Sequence, residues 1–396
     1  MVKCKSAFVG IVTKLFDITG KALSGEWGTD DPDGCGIPVL RTTNFTNVGK
    51  VNYDNVVTRN IQKKNISDKL LKKGDIIIEK SGGTDKNPVG RVIYFEGEEN
   101  KYLFNNFTGL LRVKDKNEWY PKYVFYSMFA YYKRGGTRRF ENKTTGLHNL
   151  KLDDYIKRLD IQKASYVDQV HVCKLLDCVR LQIDNMEREL ELLDELIKAR
   201  FVEMFGDENN SKGWEIVNIE DVANVQVGVV IKPSQYYTDQ DSGIKAFRSL
   251  NIGNGYIKDD DWVYFSEEGN KKNKKSILST NDVLIVRSGA PGTACVVTSE
   301  YAESNAIDVI IAHPNFQKVD SHYLCTYTNM PHGKSQIIEG TGGAAQQHFN
   351  VGKYNKLKLM LPPLEYQKQY VKFLKEIDKS RLLSNHSLFL IKSLIF

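Results

Sequence analysis

The chain has 396 residues, 41% of them hydrophobic and 11% aromatic, enough for two or three buried cores and too apolar for intrinsic disorder. Its net charge of +6 permits an anionic partner without requiring one. No run of 18 apolar residues occurs and Met1-Val2-Lys3-Cys4-Lys5 leads into no apolar segment. Neither a membrane span nor a secretory leader is therefore expected, and the expected location is cytoplasmic.

In chain order, residues 1–158 read as a first globular unit, with strands at 76–79 and 91–95 and a short helix at 123–131, broken by Gly, Asn and Asp turns. Residues 159–205 follow as a long helical region. Val172, Leu176, Val179, Ile183, Met186, Leu190, Leu193 and Ile197 are spaced alternately by four and three, the pattern of a coiled-coil seam. Asp184, Glu187, Arg188, Glu189, Glu191 and Lys198 supply solvated flanks. A polar linker occupies 206–213. The second globular unit, 214–360, has strands at 283–286, 294–297 and 309–311. Pro362-Pro363 then opens a second helical region, 361–396. The fold class expected is mixed α/β: two similar sheet-dominated domains, each followed by a long helix.

The two halves are a duplication. Leu40-Arg41-Thr42-Thr43-Asn44 recurs 207 positions on as Phe247-Arg248-Ser249-Leu250-Asn251. The same shift lays 74–82, with Asp75, Lys80 and Ser81, on 281–289, with Asp282, Arg287 and Ser288. With a shift of 198 the first seam becomes Tyr370, Leu374, Ile377, Arg381, Ser384, Leu388, Ile391 and Ile395. Arg381 and Ser384 interrupt it, and polar seam positions specify register. So long a period marks a tandem of whole domains.

No catalytic constellation is legible. Pro362-Pro363 lies between leucines, so the Asn/Asp-Pro-Pro-aromatic signature of amino-methyltransferases is absent. The glycines of 82–90 lack the Gly-Lys-Ser/Thr end of a phosphate loop. Asp75 with Glu79-Lys80 imitates a nuclease set, but its copy keeps only Asp282. The six cysteines form no Cys-x-x-Cys pair and the seven histidines are dispersed. Neither metal nor cofactor is expected.

Basic and aromatic residues interleave at 131–140, 232–237 and 270–275. Each segment alone reads equally well as a solvated loop. Three on a duplicated scaffold point to nucleic acid, whose phosphates take Lys and Arg and whose base edges take Arg, Asn, Gln and Thr.

The chain resembles the specificity subunits of type I restriction-modification systems (HsdS). The resemblance is carried by Leu361-Pro362-Pro363-Leu364-Glu365-Tyr366-Gln367-Lys368-Gln369 at the second helix, by 192–206 ending the first, and by Gly74-Asp75-Ile76 through Ser81-Gly82 with its copy. The first helix departs from it, lacking Pro-Pro-Leu-Glu although Gln169 matches Gln367. The resemblance implies two target-recognition domains and an antiparallel coiled coil of the two helices. It also implies recognition of a bipartite, asymmetric site in double-stranded DNA. The implied partners are two methyltransferase subunits and, for cleavage, restriction subunits, which hold the catalysis; this chain would not itself be an enzyme.

Residues recurring in both units (Arg41 with Arg248, Asn44 with Asn251, Lys80 with Arg287, Ser81 with Ser288) cannot read two different half-sites and are expected in architecture or phosphate contact. Divergent loops are expected to read bases: Lys133, Arg134, Arg138, Arg139, Asn142 and Lys143 in the first unit, Lys232, Tyr236, Gln346 and Gln347 in the second. The alternatives are a methyltransferase-only or type IIB-like system, a nuclease with an unrecognised site, and a helical scaffold that binds no DNA.

Overall fold

The computed structural model describes residues 11–63, 65–85, 87–144, 147–341 and 349–395. It divides into two units, one of residues 1–185 with 388–396, the other of residues 186–387.

The first unit is centred on an antiparallel sheet with strand order Leu23–Ser24, Thr108–Leu111, Ile76–Glu79, Val92–Tyr94. Successive side chains of a strand point to opposite faces. Ile76 and Ile78 accordingly join the core beneath the helix Pro121–Lys133, with Val124, Phe125 and Met128, while Ile77 joins Leu40, Phe45, Phe95 and Phe104 on the other face. Burial on both faces explains why this strand is continuously apolar. A second sheet pairs Ile37–Leu40 antiparallel with Val57–Arg59 and parallel with Leu103–Phe104. A third, smaller one ties Val12–Lys14 to Asp160–Gln162, just before the long helix Tyr166–Phe205.

The second unit repeats each part. Its central order is Ala223–Val227, Val309–Pro314, Val283–Val286, Ala294–Val296. Val283 and Ile285 face one core, Leu284 and Val286 the other. Ile244–Phe247 pairs parallel with Asn305–Ala306, and Glu215–Asn218 pairs with Lys358–Leu361 before the second long helix, Leu364–Ile395.

The first long helix has 40 residues, longer than its seam alone suggests, which at about 1.5 Å per residue is about 60 Å. Its beginning is held to the first unit: Tyr126 donates to Asp177 (2.5 Å), Lys122 pairs with Asp177 (2.9 Å) and Lys50 with Asp184 (2.6 Å). Cys173 is buried there while Val172, the expected first seam residue, is exposed. The helix's last turns enter the core of the second unit. Phe201 and Phe205 both contact the Tyr370 ring at 5.4 Å, and Asp194 pairs with Arg381. Within this unit the two helices therefore run antiparallel, since the later residue of the first meets the earlier residue of the second. Arg381, a polar seam position, pairs across the helices as a register-setting residue does.

Candidate nucleic-acid interface

The recurring Arg-x-x-Asn element closes a tight turn. Asn44 is 2% exposed; its side-chain oxygen accepts the Arg41 N–H (3.0 Å) and its amide donates to the Asn52 and Asp54 carbonyls (3.0 and 3.3 Å). Asn251, fully buried, accepts from Arg248 N–H (2.9 Å) and donates to the Asp260 carbonyl (2.8 Å). The Arg41 guanidinium holds the Asn55 carbonyl (3.1 Å), and Arg248 pairs with the Asp261 carboxylate (3.2 Å). Of the two roles expected for these four, architecture or phosphate contact, the bonds made are architectural: the asparagines are buried with their amides committed, and the arginines brace the following loop.

Asp75 and Asp282, also buried, each accept a backbone N–H three residues upstream, Lys72 and Ser279 (2.8 and 2.7 Å). Their further partners differ. Arg112 binds Asp75 through two nitrogens (2.7 and 2.6 Å), whereas His313 meets Asp282 at 2.6 Å.

One duplicated element carries an architectural role the sequence left unassigned. Gln169 and Gln367 have no exposed surface. Gln169 accepts the Tyr120 N–H (2.9 Å) and donates to the Glu118 and Ala164 carbonyls (3.1 and 3.0 Å). Gln367 accepts the Asp320 N–H (2.8 Å) and donates to the Lys318 and Pro362 carbonyls (3.2 and 2.7 Å). Each glutamine fastens a long helix to the start of a shorter helix of its own unit, Pro121–Lys133 in the first and Ser321–Asn329 in the second.

Lys80 and Arg287, equivalent in sequence, differ in state. Lys80 donates to Ser24 Oγ (3.2 Å), and its ammonium is pushed below the usual lysine range by burial and by nearby Lys69. Among the described residues it has no carboxylate partner. Arg287, its side chain 12% exposed, pairs with Asp308 (3.0 Å). The expectation of equal phosphate contact is thus corrected for Arg287, whose charge is already compensated. Lys63 and Lys69 flank Glu26, holding that carboxyl below its ordinary range through hydrogen bonds. These two lysines had no sequence signal, being separated from Lys80 and joined to it only by the fold.

At the same strand end a loop returns in both units. Leu150 N–H donates to the Lys80 carbonyl and Phe349 N–H to the Arg287 carbonyl, at 2.8 and 2.9 Å. In the first unit this return is a hairpin, Glu141–Thr144 with Leu147–Leu150, whose second strand pairs with Ser81–Gly83. Asn142, Asn149 and Ser81 face one another across the three strands and so share a face. On the opposite face His148 and Leu150 are buried, with His148 Nδ1 3.2 Å from Glu141. Lys143 lies opposite His148 in the hairpin. Asn149 joins the polar row only through strand pairing.

Ahead of the hairpin, Lys133 and Arg134 end the domain helix, and Gly135 turns the chain with φ 73°. Arg138 and Arg139 are exposed on the turn Gly136–Phe140. Arg138 donates to the Asp85 carbonyl (3.0 Å), and Arg139 stacks on Phe140 (4.9 Å) and Tyr131 (5.5 Å). Arg134 donates to its own helix at Ala130 (3.2 Å), and Lys133 lies over Phe129 (5.4 Å). The fold thus brings Lys80, Ser81, Asn142 and Arg138 to one end of the sheet.

The second unit offers less. Lys232 is exposed at φ 43°, and Tyr236 is half-buried with its ring 5.7 Å from that of Phe265. The basic run 270–275 is mainly helical, not a loop: Ser266 caps Glu267–Lys272, and Lys271 and Lys272 pair with Glu267 and Glu268 (3.4 and 2.7 Å). Asn270 is buried against Asn305 (2.6 Å). Ser288 is half-buried. Gln346 and Gln347 lie outside the described residues. Among the described residues no three His, Cys, Asp or Glu gather as metal ligands, and no helix is long and apolar enough to cross a membrane.

The two units thus share a duplicated sheet scaffold and carry different polar chemistry at one end of each copy. Residues 211–391 match the family model described as type I restriction modification DNA specificity domain. The chain is 22% identical over 387 residues to the putative type I restriction enzyme MjaX specificity subunit of Methanocaldococcus jannaschii, covering 93% of this chain and 86% of that one. It is 21% identical to the MjaVIII specificity subunit of the same organism over 290 residues, 68% of this chain and 66% of that one. Its fold matches the type I restriction-modification S subunit from M. genitalium with a TM-score of 0.57 and 13% identity, over 100% of this chain and 96% of that one. A chain from a structure concerned with complex assembly and conformational transition of the type I R-M system matches with a TM-score of 0.59 and 14% identity, over 98% and 96%. The resemblance to type I specificity subunits, a family generally without catalytic activity, thus extends over 93% of the chain in sequence.

Proposed function

We propose that this chain is the DNA-reading subunit of a type I restriction-modification complex, each unit recognising one half of a bipartite, asymmetric site in double-stranded DNA. Two methyltransferase subunits bind per chain, one on each copy of the repeated helix, and restriction subunits join them for cleavage. The chain itself performs no chemistry. The observation that carries this reading is the pair of returns at Lys80 and Arg287, where the same backbone bond anchors segments of unrelated sequence. A shared frame with unlike side chains at its end is what two different half-sites require. In the first unit the exposed Arg138, Arg139 and Asn142 supply base-edge or phosphate contact, with Ser81, Lys133, Arg134 and Lys143 beside them. In the second the contacts come from Lys232 and the segment containing Gln346 and Gln347.

Mapping methylated bases in a genome that expresses this chain with its methyltransferase tests the reading. Modification at a split, asymmetric sequence is expected, and no sequence-dependent modification would overturn it. The mass of the co-purified complex tests the stoichiometry, with two methyltransferase subunits expected. If the helices set the spacing, a heptad inserted after Asn185 and another after Ser387 lengthens the spacer by about 10 Å, or about three base pairs, with both half-sites unchanged.

A further inference from the structure

Phe107 is a large apolar side chain left 53% exposed. It sits in a turn closed by Thr108, whose N–H and hydroxyl both bond the Asn105 carbonyl (3.1 and 2.8 Å). Its own carbonyl accepts the Lys80 N–H (2.8 Å), which fixes this turn to the end of the central strand beside the hairpin return. The ring is thus presented from rigid backbone, and little conformational entropy opposes its use in binding. Strand register identifies its counterpart: Thr108 pairs with Glu79 as Val309 pairs with Val286, so Phe107 corresponds to Asp308. Where the second unit places a carboxylate that neutralises Arg287, the first places a residue with an uncharged ring, its carbonyl bonded to the N–H of Lys80. Lys69, which shares Glu26 with Lys63, lies near enough to act on the Lys80 ammonium.

An exposed apolar ring on the residue bonded to Lys80, which has no carboxylate partner among the described residues, suits the base edges of a duplex flanked by phosphates. Building on the DNA-reading role above, we propose that Phe107 is a specificity-determining residue of the first half-site, making apolar contact with a base, such as a thymine methyl, while Lys80 takes the adjacent phosphate. The second unit has no such contact, because Asp308 offers no apolar surface and its charge is spent on Arg287.

The test uses the complex of this chain with its modification subunits, a duplex bearing the site found by methylation mapping, and a mixed-sequence duplex of equal length. Phe107→Ala is expected to weaken binding to the mapped duplex about tenfold. Binding to mixed sequence and the salt dependence should stay as in wild type, and Phe107→Leu should restore most of the loss. Methylation mapping with Phe107→Ala should show relaxed discrimination in one half-site only. Because the ring is largely outside the core, the melting temperature is expected to hold, which separates this loss from misfolding. Wild-type affinity of Phe107→Ala for the mapped duplex, or an equal loss on both duplexes, would overturn the assignment and leave the DNA-reading role intact. A wild-type complex that fails to distinguish the two duplexes would overturn both.

Discussion

At matching positions the two units are alike where side chains hold backbone and unlike at one end of each sheet. The Asn44 and Asn251 turns, the Asp75 and Asp282 turns, and the Gln169 and Gln367 clips make nearly the same bonds twice. Glu26 with Lys63 and Lys69, by contrast, corresponds to Val229 in an apolar cluster with Tyr236 and Phe265; Glu26 and Val229 each donate N–H to a matching carbonyl, those of Phe104 and Ala306. Lys80 beside Phe107 corresponds to Arg287 beside Asp308. Buried amides tolerate no substitution without an unsatisfied group, whereas surface groups change at little cost to stability. Duplication therefore preserves the frame and releases the ends of the sheet to diverge.

The largest effects should come from the frame. Gln169→Ala and Gln367→Ala each remove three bonds at a fully buried site and leave backbone groups unpartnered, so each is expected to destabilise its unit by about 2–4 kcal/mol. Denaturant unfolding measures this, and sharply unequal losses would break the equivalence of the two clips.

Next in size, Arg138→Ala should cost about 1–3 kcal/mol of specific binding if the guanidinium reads a base, with discrimination relaxed in one half-site only. Relaxation in both halves would mean that the hairpin end does not belong to one unit's readout.

Smallest is the difference between the two cations, measured as the slope of log affinity against log salt. Lys80→Ala should flatten it by about one unit, whereas Arg287→Ala should leave it nearly unchanged. Asp308→Asn, which keeps a residue suited to the left-handed backbone at φ 51°, should steepen it by freeing Arg287. Equal slopes for the two alanine variants would restore the symmetry expected from the repeat.

Much of the fold was legible because its signals are local. The apolar run 76–79, its copy 283–286 and the four-three spacing of the helix each report burial through a few neighbouring residues. The site was less legible. Recurrence marked Arg41, Asn44, Arg248 and Asn251 as shared, but shared residues brace backbone or touch phosphate alike, and only their burial and bonds separate the two. The lysines at 270–275 read as a basic loop because their compensating Glu267 and Glu268 act one helical turn away.

By itself the sequence determined that the chain is duplicated, that each half joins a sheet domain to a long helix, and that no catalytic motif accompanies them. Tertiary structure decided which residue answers which at the working end of each sheet. The offset between halves falls from 207 at Lys80 and Arg287 to 201 at Phe107 and Asp308 and 199 at Leu150 and Phe349, because the intervening loops differ in length. A fixed shift cannot follow that drift. Backbone hydrogen bonding can, because strand register is set by pairing across the sheet and is indifferent to the length of chain between the strands.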